Sequence, residues 1–127
     1  MAQYLGNLTL LVRDYDEALA YYVGVLGFTL LEDTDRGLGK RWVRVSPGGA
    51  AHPALLLAQA ATPEQQAQVG NQAGGRVFLF LHTDDFAGDY ARYKALGVQF
   101  LEEPRHESYG SVVVFADCYG NKWDLLG

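Results

Sequence analysis

NLTLLVRDYDEALAYYVGVLGFTLLEDT, residues 7–34, and FLFLHTDDFAGDYARYKALGVQFLEEP, residues 78–104, share one grammar. Each opens with an apolar run of strand length, passes through an Asp-led helix to a Gly, and enters a second strand that ends in acids. The correspondence continues outward. GKRWVRVSPGG (39–49) answers GSVVVFADCYG (110–120), and ALLLAQA (54–60) answers KWDLLG (122–127). Two halves of about sixty residues thus repeat one β-α-β-β-β order, the signature of paired units that cannot each close a core alone.

Local chemistry agrees with this division. Asp14 is a good N-cap with Glu17 three residues on, and Tyr15, Ala18, Leu19, Tyr22 and Leu26 recur at helical spacing up to Gly27. The second helix starts at Asp84-Asp85, buries Phe86, Tyr90 and Tyr93, and stops at Gly97. Strands are expected at 7–12, 28–31, 41–45, 55–58, 98–101, 112–116 and 123–126. Thr62-Pro63-Glu64-Gln65 is a helix start whose helix runs to about Val69, and Gly70 to Gly75 reads as a linker. Three successive strands with short turns favour an antiparallel meander over a doubly wound sheet. The expected class is α+β: two βαβββ modules forming curled mixed sheets around a cleft, with helices on the outer face. The modules span about 3–60 and 76–127 of one domain, joined by a helix and linker at 61–75.

The bulk numbers narrow the function. The chain has 127 residues, 49% of them hydrophobic and 20% charged, which suffices for a core without staples. A single cysteine, Cys118, excludes an intramolecular disulfide. No secretion signal or membrane-length apolar run is evident, so a cytoplasmic location is expected. A net charge of −5 with scattered Lys and Arg argues against nucleic acid, and is electrostatically compatible with a cationic small ligand.

HTDDF, GVQFLEEP, YGSVVVFADCYGNKWDL and LVRDYDEALAYYVGVLGF resemble the vicinal oxygen chelate superfamily, which includes glyoxalase I, extradiol dioxygenases and bleomycin resistance proteins. The most recognisable piece is D-x-x-G-N-x-x-[ED]-L, here Asp117 to Leu125. The resemblance implies paired modules, often in a homodimer. It also implies, for metal-using members, a His near the start of each module and a carboxylate or His in each last strand. Residue by residue those positions fall on Asn7, Phe78, Leu56 and Asp124. One amide and one carboxylate beside a Phe and a Leu do not make a catalytic divalent site, so no metal and no other cofactor are expected.

What remains is a ligand pocket. Alternation puts Phe78, Phe80 and His82 on one face, and Asn7 with Thr9 on another strand's inner face. His82 reads first as a strand-end histidine satisfied by Asp84, Asp85 or a backbone carbonyl, and second as a polar group in an aromatic pocket. Matching Gly39 to Gly110 aligns Arg41 with Val112, placing Arg41 inward and Trp42 on the opposite side. Arg41 or Lys122 is then a candidate partner for Asp124, as is solvent. Arg105, His106 and Glu107 read as a solvated loop, Tyr109-Gly110 as the tight entry to the next strand or, alternatively, with Tyr109 as a rim residue able to close over a ligand, and His52 as an exposed turn residue. The reading is a metal-free protein that sequesters a hydrophobic or aromatic small molecule using Asn7, Thr9, Arg41, Leu56, Phe78, Phe80, His82, Tyr109 and Asp124. It stands nearer the bleomycin-resistance branch than the enzymes, and no residue is assigned a catalytic role. The alternatives are a lyase- or dioxygenase-like metalloenzyme with a rearranged site using His82 and Asp124, and an assembly protein with a vestigial pocket.

Overall fold

The helix signals act as read. In the computed structural model, which describes residues 2–51 and 53–127, the Asp14 carboxylate accepts from the Glu17 amide and starts α1 (Tyr15–Tyr22). Thr62 caps α2 (Pro63–Gln68), and Asp85 caps α3 (Phe86–Ala95). His52 lies outside the described residues. α1 is shorter than the apolar spacing suggests. After Tyr22 the chain leaves the helix through a wider turn, in which Leu26 N donates to Tyr21 O and Phe28 N to Tyr22 O. That turn still drops Leu26 and Phe28 into the core.

The chain divides into two units, the first ending at Val69 and the second running from Gly70 to Gly127. In the first, β1 (Asn7–Val12), β2 (Thr29–Gly37), β3 (Lys40–Ser46) and β4 (Ala54–Gln59) form a sheet in the order β1-β4-β3-β2. β2, β3 and β4 are an antiparallel meander and β1 joins β4 in parallel, so the sheet is mixed. Leu10, Val12, Val43, Val45 and Leu57 are essentially inaccessible, as are Ala18 and Tyr22 of α1. Each such aliphatic side chain contributes about 1.5–3 kcal/mol by leaving water. Register therefore carries weight, because a slip of one residue would turn this whole set outward.

β2 runs six residues past the expected strand because it stays paired to β3 through two bulges. The hairpin closes with Gly37 opposite Lys40. Its two loop residues, Leu38 and Gly39, have φ of 56° and 79°, the left-handed pair that a two-residue turn needs. Gly39 suits that conformation, whereas Leu38 is held there at a cost of about 1 kcal/mol.

The second unit carries β5 (Val77–His82), β6 (Gln99–Phe100), β7 (Arg105–Glu107), β8 (Gly110–Ala116) and β9 (Lys122–Leu126). Their order is β5-β9-β8-β6, with β7 also on β8 and β5 parallel to β9. Tyr93 of α3 meets Phe115 edge-on, and Phe115 stacks on Trp123 at 5.9 Å, which forms the aromatic core of this unit. Arg105, His106 and Glu107 were expected in a loop; they are a strand, paired with Val112, Ser111 and Gly110. β6 and β7 together occupy the place that β2 fills in the first unit. Pro104 separates them, since it has no N–H for the ladder. At the gap the Glu102 carboxylate accepts from Val114 N at 3.1 Å, so a side chain replaces the missing backbone partner.

The Asp117–Asn121 segment joins β8 to β9. Asp117 Oδ1 accepts from the amides of Tyr119 and Asn121, each at 2.9 Å, and Oδ2 accepts from Asn121 Nδ2 at 2.9 Å. Asp117 and Asn121 are both buried. The most recognisable motif of the sequence is thus a turn clamp. Among the described residues no helix is long and apolar enough to cross a membrane.

Candidate functional site

On the first sheet, register decides which side chains meet. Thr9 lies beside Leu56 in the parallel pair, and Leu56 lies beside Arg44 in the antiparallel one. Side chains directly across a ladder share a face. The face opposite α1 therefore carries Asn7, Thr9, Leu11, Leu56, Ala58, Trp42 and Arg44. Arg44 Nε donates to Asn7 Oδ1 at 2.8 Å, and its Nη1 stands 3.8 Å from Glu32.

Arg41 belongs to the other face, contrary to expectation. Its guanidinium bonds Asp33 at 2.7 Å and Asp16 of α1 at 2.9 Å, and sits over the Tyr15 ring. These carboxylates, Asp33 foremost, push the Arg41 pKa up, and Arg41 in turn holds Asp33 below the usual carboxylate value. The error has a definite source. If Leu56 answers Asp124, the ladders make Val43 answer Val113, so the residue that answers Val112 is Trp42. Matching the two hairpin glycines shifts the strand by one and inverts its faces. Val43 and Val45 alternating inside KRWVRVS were the signal that put Trp42 and Arg44 opposite α1.

A concavity of about 630 Å³ opens at the end of this sheet where β1 and β4 finish. Its lining includes Thr9, Leu11, Leu38, Trp42, Leu56 and Ala58, with Arg36, Lys40 and Arg41 at the β2–β3 hairpin and Gln59 and Gln65 beyond β4. The volume lies in the range of small-molecule sites, and a mainly apolar wall with a few placed polar groups is their usual make-up. Arg36 places its guanidinium carbon 5.7 Å from the centre of the Trp42 ring. Arg36, Leu38, Lys40 and Trp42 were not among the expected ligand-binding residues.

The second unit gathers another set. Phe80 lies beside Asp124 and His82 beside Leu126, so Phe80, His82 and Asp124 share a face. Phe80 is 59% exposed, and His82 is also exposed. The His82 imidazole has no hydrogen-bond partner among the described residues; the neighbouring acid Asp85 is spent on the α3 cap. Phe78 sits at a bulge in β5 and borders a cavity of only about 20 Å³ with Asn71, Arg76 and Lys122. Tyr109 is 68% exposed, next to Gly110 at the start of β8.

Asp124 is the electrostatically unusual member. Its Oδ1 is buried without a hydrogen bond. Arg41 is taken by Asp33 and Asp16, and Lys122 donates to Gly75 O, so neither expected partner serves it. Burial raises its pKa, Arg105 pulls it back, and Glu102 adds to the rise. A carboxyl whose folded pKa exceeds its unfolded one loses stability as pH rises through that interval. Asp124→Asn is therefore expected to fold and to melt a few degrees higher at neutral pH. The gain should fade as pH falls toward the ordinary value of 3.8. Melting curves across pH check this; a lower midpoint for the variant at pH 7 would show that the ionised carboxylate is structural.

The four positions where relatives of this kind hold metal do not fit one here. Leu56 and Phe78 offer no donor atom, and the Asn7 oxygen is engaged by Arg44. Among the described residues no three His, Cys, Asp or Glu side chains converge as a metal set.

A protein of Shewanella frigidimarina (strain NCIMB 400) described as uncharacterized is 54% identical over 99% of this chain and 94% of its own length. The crystal structure of UcmS2 superposes with a TM-score of 0.84 at 28% identity, over 99% of this chain and 98% of that one. That of TnmS3, an antibiotic binding protein from Streptomyces sp. CB03234, superposes with a TM-score of 0.78 at 30% identity, covering 98% and 95%. Residues 4–125 match the family model, and the chain belongs to the Glyoxalase/Bleomycin resistance protein/Dioxygenase superfamily.

Proposed function

We propose that this protein binds and sequesters a small hydrophobic or aromatic molecule without using a metal. The observation that carries the reading is the concavity beside Trp42, apolar over most of its wall and ringed by a few hydrogen-bonding groups. The donor-poor residues at the family's metal positions support it, as does the likeness to TnmS3, an antibiotic binding protein. On this reading the binding set comprises Thr9, Leu56, Trp42 and the 36–40 hairpin in the first unit. Phe80, His82 and Asp124 form a second polar-aromatic set. The protein works in the cytoplasm as a homodimer, with no part played by nucleic acid or membrane.

The test is a thermal-shift screen against aromatic antibiotics, catechols, glutathione adducts and divalent metals. A ligand at about a hundred times its Kd adds about 2.7 kcal/mol, a rise on the order of 5–10 °C. Aromatic compounds are expected to give that rise with metal-free protein. Stoichiometric Zn, Ni, Mn or Fe in the purified protein, lost on His82→Ala, would overturn the reading in favour of a lyase- or dioxygenase-like enzyme.

A further inference from the structure

We infer that the concavity beside Trp42 takes a flat aromatic molecule bearing an anionic group, with Trp42 as the stacking surface and Arg36 and Lys40 as counter-ions. This rests on the binding reading above and narrows its ligand class. Whole-chain charge points the other way: at −5 it is compatible with a cationic ligand. The wall of the concavity reverses that sign. Among the described residues that line it there are three cations, Arg36, Lys40 and Arg41, and no carboxylate. Arg41 is neutralised by Asp33 and Asp16. Neither Arg36 nor Lys40 has a carboxylate partner among the described residues, so their charge is available to a ligand.

Geometry adds the aromatic half. The Arg36 guanidinium stands over the Trp42 ring at 5.7 Å from its centre, a cation–π arrangement. A planar ligand stacked on Trp42 beside Arg36 would present an edge substituent to that planar fork. A carboxylate or phenolate there would receive the paired N–H bonds that Arg forms best. Leu38 completes the site. It is a fully exposed aliphatic side chain held at φ 56° on the tip of the same hairpin, and it borders the concavity. A ligand against it would remove that side chain from water.

Three related naphthalene compounds separate the terms: 2-naphthoate, its near-isosteric amide 2-naphthamide, and 2-naphthylmethylammonium, titrated by calorimetry against the full chain. The anion is expected to bind at least about tenfold more tightly than the amide at low salt, and the cation more weakly than either. The advantage of the anion should shrink in about 0.5 M salt. Arg36→Gln should remove most of that advantage, lowering anion affinity by a larger factor than amide affinity. Lys40→Gln is an independent second variant at the hairpin. Trp42→Leu should weaken anion and amide alike. Amide or ammonium binding as tight as the anion, or an anion preference untouched in both Arg36→Gln and Lys40→Gln, overturns the anionic class and leaves the binding reading standing. If none of the three binds, the inference fails, while the binding reading is decided separately by the thermal-shift screen.

Discussion

Alanine at Asp117 is expected to destabilise the fold by about 3 kcal/mol, with a fall of roughly 10 °C in melting temperature. The carboxylate accepts from the Tyr119 and Asn121 backbone amides and from the Asn121 side chain, in a turn where Asp117 and Asn121 are both buried. Removing it leaves the Asn121 amide without that acceptor, inside the protein and away from compensating water. A donor stranded in this way costs more than an average hydrogen bond contributes. Asp117→Asn should cost less, since one oxygen can still accept from the backbone. Urea denaturation of the three proteins reads the order directly. An unchanged midpoint for Asp117→Ala would falsify the assignment of this motif as a turn clamp.

Gly70→Ala is the second substitution with a large expected effect, about 2–4 kcal/mol, and it acts on the same turn from outside. Gly70 holds φ 80°, and a Cβ there would overlap the carbonyl oxygen of Tyr119. Left-handed strain alone accounts for about 1–2 kcal/mol. The remainder is the shift imposed on Tyr119, which lies inside the Asp117–Asn121 clamp. Gly74→Ala supplies the control: its φ is 65°, and a Cβ would meet nothing within 4 Å. Strain without overlap should leave Gly74→Ala well above Gly70→Ala in stability. Equal losses would mean that the contact with Tyr119 contributes nothing. Because Gly70 and Asp117 act through one turn, the double variant should lose less than the sum of the two single losses.

The caps and the repeat were legible in the sequence because they are local. Asp14, Thr62 and Asp85 each bond an amide three residues away, so neighbours in the chain decide the outcome. The order of strands followed from two matching halves. The faces of β3 were not legible by the same route. Both hairpins have two-residue loops, but the glycine is the second loop residue, Gly39, in one and the first residue after the loop, Gly110, in the other, so matching glycines misplaces Arg41 by one residue and conceals Trp42 and Arg44. β7 lacks a signature in the sequence for another reason. Arg105, His106 and Glu107 carry no apolar alternation, and all three are exposed, so only the ladder to β8 makes them a strand. The charge of the concavity was hidden most deeply. Arg36 and Lys40 are ordinary surface cations in sequence, and their meaning comes from which carboxylates point elsewhere.

The gap between β6 and β7 has a consequence for how this fold breathes. β7 is held by a three-residue ladder, contains no buried side chain, and is cut off from β6 by Pro104. Its amides can exchange with solvent by a small opening that leaves the aromatic core of Tyr93, Phe115 and Trp123 intact. In the first sheet β2, though bulged twice, continues as one strand along β3. Two halves that spell nearly the same fold therefore differ in the size of their smallest cooperative unit of opening, and Glu102, bridging the gap to Val114, marks where the second sheet divides.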